Sequence, residues 1–251
     1  MNELCNFGVS VMVGSKCSGS RSRQSVAAIW DNEYEKARSL PSTWLAKPSR
    51  CFSQLDDLLR WPGEFSVLDI GSGNGRHSLH FARMGGCVHA LDVSGRAIEI
   101  ATDLLSAHNI SSRVRLHHGS AVDGLPSNGK GFDLILDSYM SCHLLDPIER
   151  ANLLLSIHGA LAPGGLFISL GVSLGDSFYA PHAGRTTNGC AHVCDPITGI
   201  DKLLTTEKFV VEEFAGLFDV ERVGRLEMTD PMSGVEFRKE AIYVAARATN
   251  R

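Results

Sequence analysis

The sequence predicts a doubly wound α/β fold: one domain with a mostly parallel seven-stranded sheet and helices on both faces. Three observations predict it. From Phe65 onward, short β-rich runs alternate with longer amphipathic stretches, the pattern of parallel strands joined by crossover helices. The first run ends in a glycine cluster that opens a helix. Two β-like runs close the chain, the last expected to be antiparallel.

Taken in order, the first strand is Ser66-Val67-Leu68-Asp69-Ile70, and a helix follows from about Gly75 to Met84, stopping at Gly85-Gly86. The second strand is Val88–Asp92. Ala97, Ile98, Ala101, Leu104 and Leu105 then share one helical face. The third and fourth strands are Val114–His117 and Phe132–Leu136. Asp146 is a natural N-cap with Pro147 at the first helical position and Glu149 at capping-box spacing. Pro163-Gly164-Gly165 ends that helix before the fifth strand, Leu166–Leu170. Thr206 is expected to cap a last helix through Leu217, followed by runs around Val220–Glu227 and Glu236–Ala246. Residues 1–27 read as a flexible N-terminal tail and 28–251 as the domain. Within it, 28–62 form a helical cap, and 173–204, which follow neither period, form an acceptor-side loop.

Composition narrows the function. The 251 residues are 43% hydrophobic and carry a formal charge of -4, which argues against a protein built to grip phosphate backbones. No apolar run approaches the ~20 residues of a membrane span. The seven cysteines are odd in number and scattered, which suits a reducing cytoplasm better than a disulfide scaffold.

The chemistry lies in Val67-Leu68-Asp69-Ile70-Gly71-Ser72-Gly73-Asn74-Gly75-Arg76. Glycines let backbone turn tightly and approach a ligand, and the helix start adds unpaired N–H groups. Such a run also suits a plain tight turn. Asp92 closes the second strand 23 positions after Asp69, where an acid reaches ribose hydroxyls in doubly wound folds. A dinucleotide fingerprint needs a third glycine at residue 76, and Arg76 stands there; the third glycine is Gly75, giving G-x-G-x-G.

That run, with Asp69 ahead of it, resembles the first motif of class I S-adenosylmethionine-dependent methyltransferases, whose fold is Rossmann-like. The resemblance continues in order through Asp92, His118-Gly119-Ser120-Ala121, Phe132–Asp137 and Leu161-Ala162-Pro163-Gly164-Gly165. More loosely, the N-terminal arrangement looks like small-molecule enzymes of the thiopurine and tellurite-resistance type. The resemblance implies S-adenosylmethionine as cofactor, held by Asp69, Gly71, Gly73, Gly75, Asp92, Val93, Ser120, Ala121 and Asp137. Ser120 stands where many members place Asp for the adenine amino group, so Asp123 or backbone at Ala121 takes that contact. On the acceptor side the expectation is Trp30, Tyr34, Tyr139, Tyr179 and Arg185, with His143 as a base or a packed residue. Cys190, His192 and Cys194 invite a metal reading, but their spacing suits ordinary loop residues or a soft pocket better, and no metal is expected. The expected partner is a small molecule, with no nucleic acid, no membrane and oligomeric state open. The alternatives are a nicotinamide-dependent oxidoreductase and a non-catalytic cofactor-binding module.

Overall fold

The computed structural model describes residues 23–36, 41–232 and 235–249. Its centre is β1 (Ser66–Ile70), which pairs in parallel with β2 (Cys87–Asp92) on one side and β4 (Phe132–Ser138) on the other. β3 (Val114–His118) lies outside β2, and β5 (Leu161–Ser173) outside β4, both parallel. β9 (Val235–Ala248) runs antiparallel along β5 and carries β8 (Phe218–Met232) on its far edge. The order β3-β2-β1-β4-β5-β9-β8 is the seven-stranded sheet expected, with its reversed strand at β9. Central parallel strands are buried on both faces, which is why β1 and β4 read as near-continuous apolar runs.

Alternate residues feed two cores. Val67, Leu134, Leu136, Leu166, Ile168 and Leu170 face α3 (Arg76–Arg83) through Phe81 and the 3-10 turn Arg50–Gln54 through Phe52. Leu68, Ile70, Ile135 and Phe167 face α5 (Pro147–Ala160) and α6 (Glu207–Phe214). Both predicted caps form: Asp146 Oδ1 accepts from Ile148 N at 2.8 Å, and Thr206 Oγ1 from Phe209 N at 3.2 Å. α4 (Gly95–Ala107) sits between α3 and α1 (Arg23–Lys36), and α2 is the single turn Pro41–Trp44.

Two expectations need correction. Residues 173–204 are not a bare loop. They hold a 3-10 turn, Ala180–His182, and a hairpin of β6 (Cys190–Cys194) and β7 (Asp201–Thr205), which brings the sheet to nine strands. Strands of five residues, with two buried side chains in β6 and four in β7, leave little periodicity to read. The 28–62 cap is only partly helical, ending in 3-10 and irregular turns after α2. The proposed tail lies outside the described residues up to residue 22. No described helix is long and apolar enough to cross a membrane.

A buried ionic cluster fastens the hairpin. Asp195 is 1% exposed; Lys202 Nζ reaches its Oδ2 at 2.5 Å and the Tyr179 hydroxyl donates to the same oxygen at 2.9 Å. The ammonium groups of Lys202 and Lys239 lie 4.7 and 4.0 Å from the Tyr179 ring centre. Burial would raise the Asp195 pKa, but the Lys202 ammonium and the N–H groups of Ile197 and Thr198 outweigh it and hold the carboxyl below its usual value. Its stabilising contribution is therefore complete above the ordinary carboxylate range and is lost as pH falls through its depressed folded-state value. Asp195→Ala leaves Lys202 buried without its partner, and denaturant titration should show a loss of about 3–5 kcal/mol. A loss below ~1 kcal/mol would contradict this role.

Candidate functional site

The glycine turn after β1 is tied to the end of β2: Gly71 N and Ser72 N both donate to the Leu91 carbonyl, at 2.8 and 3.0 Å. Gly71 and Gly73 have φ of +65° and +56°, which L side chains rarely adopt. A Cβ at Gly71 would overlap Met140, and one at Gly73 would overlap the Tyr34 hydroxyl.

Asp92 is 7% exposed at the tip of β2. Its Oδ2 accepts from Gly73 N and its Oδ1 from Ser94 N, both at 2.8 Å. A carboxylate has about four acceptor positions, so each oxygen keeps room for a ribose hydroxyl. Burial raises its pKa, and the two backbone N–H groups pull it back. Val93 follows, and its carbonyl accepts from His118 Nε2 at 3.2 Å. Gly119 N donates to the Asp92 carbonyl at 2.8 Å; Ser120 and Ala121, which follow, are half-buried, and Asp123 is exposed.

Asp69 is fully buried, with Oδ2 accepting from Ser78 Oγ at 2.6 Å. Burial pushes its pKa up to about 6, against the Ser78 hydrogen bond. Its Oδ1, Ser72 Oγ and Ser138 Oγ are buried with no partner. Each unmade bond costs roughly 1–3 kcal/mol. All three lie at the ends of β1 and β4 or in the turn between, where the polar amino-acid end of a nucleoside ligand would meet them. The donor set therefore fits S-adenosylmethionine: a carboxylate for the ribose, bare backbone, and orphaned oxygens for a polar tail.

α1 covers this cradle. Asp31 Oδ1 accepts from Ser94 Oγ at 2.7 Å and Arg96 N at 3.1 Å, docking α1 on the start of α4. Trp30 meets the His143 ring edge-on with centres 5.0 Å apart, and Tyr34 lies 6.4 Å from Trp30. The Asp201 carbonyl lies 2.8 Å from His143 Nδ1. A carbonyl only accepts, so Nδ1 carries the proton and Nε2 the lone pair. Burial first, and the Lys202 ammonium second, push the His143 pKa down to about 4.

The structure thus brings Trp30, Tyr34 and His143 together. Tyr139, at φ +65°, packs with Trp30 against the cluster of Cys142, Phe178 and Tyr179. Asp137 holds that turn, its Oδ1 accepting from Met140 N and Ser141 N at 3.0 and 3.1 Å and its Oδ2 from Ser169 Oγ at 3.4 Å. Tyr179 is not brought to the cradle in this way, its hydroxyl being tied to Asp195, and Arg185 is exposed. Cys190, His192 and Cys194 share one face of β6, and His192 Nε2 meets Asp201 Oδ1 at 2.8 Å. Among the described residues no three His, Cys, Asp or Glu side chains gather at metal-binding distance.

Arg76 has a role that motif reading missed. It is buried at the start of α3, with Nη1 3.5 Å from the Lys47 carbonyl, and its charge acts on Asp69, Tyr34 and Tyr139. Around the Tyr34 hydroxyl, Asp92, Asp69 and Glu33 oppose this one guanidinium. That excess of negative charge suits a sulfonium cation and disfavours a dinucleotide pyrophosphate.

The fold is the one found in S-adenosylmethionine-dependent methyltransferases. Residues 67–165 match the family model described as a methyltransferase domain. No curated protein matches the chain by sequence. Among solved structures, the chain is similar to a Burkholderia thailandensis 1,6-didemethyltoxoflavin-N1-methyltransferase with S-adenosylhomocysteine bound. The two are 19% identical with a TM-score of 0.65 over 94% of both chains. It is also similar to a Methanosarcina mazei S-adenosylmethionine-dependent methyltransferase, 19% identical with a TM-score of 0.63, covering 81% of this chain and all of that one. A third likeness, to a glycopeptide N-methyltransferase complexed with S-adenosylmethionine, is 18% identical with a TM-score of 0.56 and covers 82% and 96% of the two chains. These likenesses share the fold.

Asp92→Ala removes hydrogen bonds to a charged group and should weaken S-adenosylhomocysteine binding by about 1.5–3 kcal/mol, read by calorimetry. Unchanged affinity would take Asp92 out of the site.

Proposed function

We propose that the chain methylates a small-molecule acceptor seated beneath α1, between Trp30, Tyr34, Tyr139 and His143. The observation that carries this reading is the position of α1: it lies over the strand tips, with Tyr34 above Gly73 and Trp30 against His143. A covered site of this kind admits a compact acceptor and keeps water out. The names of two structural neighbours, which describe methylation of a didemethyltoxoflavin and of a glycopeptide, support the same acceptor class.

S-adenosylmethionine, when bound, supplies a methyl group already activated on a sulfonium. Asp92 would hold the ribose, while Val93, Ser120 and Ala121 would line the adenine. Asp69 and the glycine turn would receive the amino-acid end. With the donor so fixed, alignment of the acceptor behind the methyl supplies much of the rate. His143 presents a neutral Nε2 lone pair and can accept a hydrogen bond from the acceptor's N–H or O–H. An imidazole of pKa about 4 holds a proton weakly near neutrality, so its service is to orient the acceptor. Tyr139 would form the wall between cofactor and acceptor. Tyr179 supports that wall through Asp195, and Arg185 sits at the outer surface of the acceptor-side segment.

Incubation with methyl-labelled S-adenosylmethionine and a small-molecule acceptor library should place label in the low-mass fraction. Label confined to protein or nucleic acid, or no transfer, would refute the proposal. His143 remains neutral well above its depressed pKa, so its titration should cause no loss of kcat/KM between pH 8 and pH 6. His143→Ala should lower kcat by roughly 10–100-fold without changing S-adenosylhomocysteine affinity. A kcat within about twofold of wild type would remove His143 from the acceptor side.

A further inference from the structure

One charged side chain near the cradle is buried without a complete set of partners. Glu33 is 4% exposed, and its Oε1 is buried with no hydrogen-bond partner. A charged oxygen in that state calls for a donor. On α1, Glu33 is three residues from Trp30, hence on the same face. Trp30 and Ile29 both pack against the Cys142, Phe178 and Tyr179 cluster, and Trp30 also meets the His143 ring. Glu33 also adds to the negative charge around the Tyr34 hydroxyl. The neighbouring groups share one preference. Trp30, Tyr34 and Tyr139 offer aromatic faces, which attract cations, and His143 Nε2 offers a lone pair.

We propose that Glu33 receives an N–H group of the methyl acceptor, so that the acceptor atom is an amine nitrogen. This rests on the methyltransferase reading above. The nitrogen lone pair forms the new bond to the methyl carbon. The methyl–sulfur bond breaks with its electron pair left on sulfur, and the proton on nitrogen passes to Glu33 and on to water. The α-ammonium of the cofactor has the same donor chemistry, and the test separates the two sources.

The probes are benzylamine, phenol and benzoate, with transfer read as S-adenosylhomocysteine release, and S-adenosylhomocysteine affinity is measured separately by calorimetry. The wild type should turn over benzylamine in preference to phenol and benzoate. Glu33→Gln should raise the benzylamine KM by roughly tenfold or more, with S-adenosylhomocysteine affinity and melting temperature held. Glu33→Asp, which keeps the charge, should recover part of that loss. A tenfold loss of S-adenosylhomocysteine affinity in Glu33→Gln would assign Glu33 to the cofactor and overturn the proposal. An unchanged KM, no turnover of benzylamine, or a preference for phenol or benzoate would also overturn it. Failure of the wild type to bind S-adenosylhomocysteine would bring down the methyltransferase reading itself, and this inference with it.

Discussion

The site depends on the hydrogen bonds that the Asp92 carboxylate accepts at the strand tips. One oxygen takes Gly73 N–H and so fixes the turn after β1; the other takes Ser94 N–H and so fixes the start of α4. The carboxylate proposed to take the ribose is thus held by the same backbone that would receive the rest of the cofactor. Because Ser94 Oγ also donates to Asp31, the carboxylate that prepares the cradle is one residue's reach from the helix that covers it. In the proposed function, cofactor binding and acceptor enclosure would share this short chain of contacts.

The charge pattern favours a cationic ligand over an anionic one. Among the described residues the carboxylates of Asp92, Asp69 and Glu33 face the Arg76 guanidinium around Tyr34, and their burial strengthens their effect. A glycine-rich turn at a helix start is neutral between ligands; the buried acids beside it make the region hospitable to a sulfonium. Beside Trp30 and Tyr34 the neutral imidazole of His143 and the buried carboxylate of Glu33 offer acceptors without a facing donor, the setting the proposed acceptor would complete.

Much of this was legible because it is local. The caps at Asp146 and Thr206, the spacing of Gly71, Gly73 and Gly75, and the strand-end position of Asp92 each follow from a few adjacent residues. So did the pairing of Trp30 with Tyr34, one helical turn apart. The hairpin of β6 and β7 was hidden because long-range contacts hold it. Asp195, Lys202, Tyr179, Asp176 and Lys239 form its buried charge cluster, although the last lies far along the chain on β9. Arg76 and Glu33 were equally opaque: their burial depends on how α1 docks on α4 and how the Lys47 segment meets α3. For Asp137 the strand-end position was clear, but its commitment to the Tyr139 turn emerges only with backbone geometry.

The most direct measurement is a crystal structure of the chain with S-adenosylhomocysteine. The ribose hydroxyls should lie within about 2.6–3.2 Å of the Asp92 oxygens, the amino-acid end beside Asp69 and Ser72, and the sulfur facing the space between Trp30 and His143. A nucleoside bound away from the tips of β1 and β2, or bound there without touching Asp92, would contradict the account.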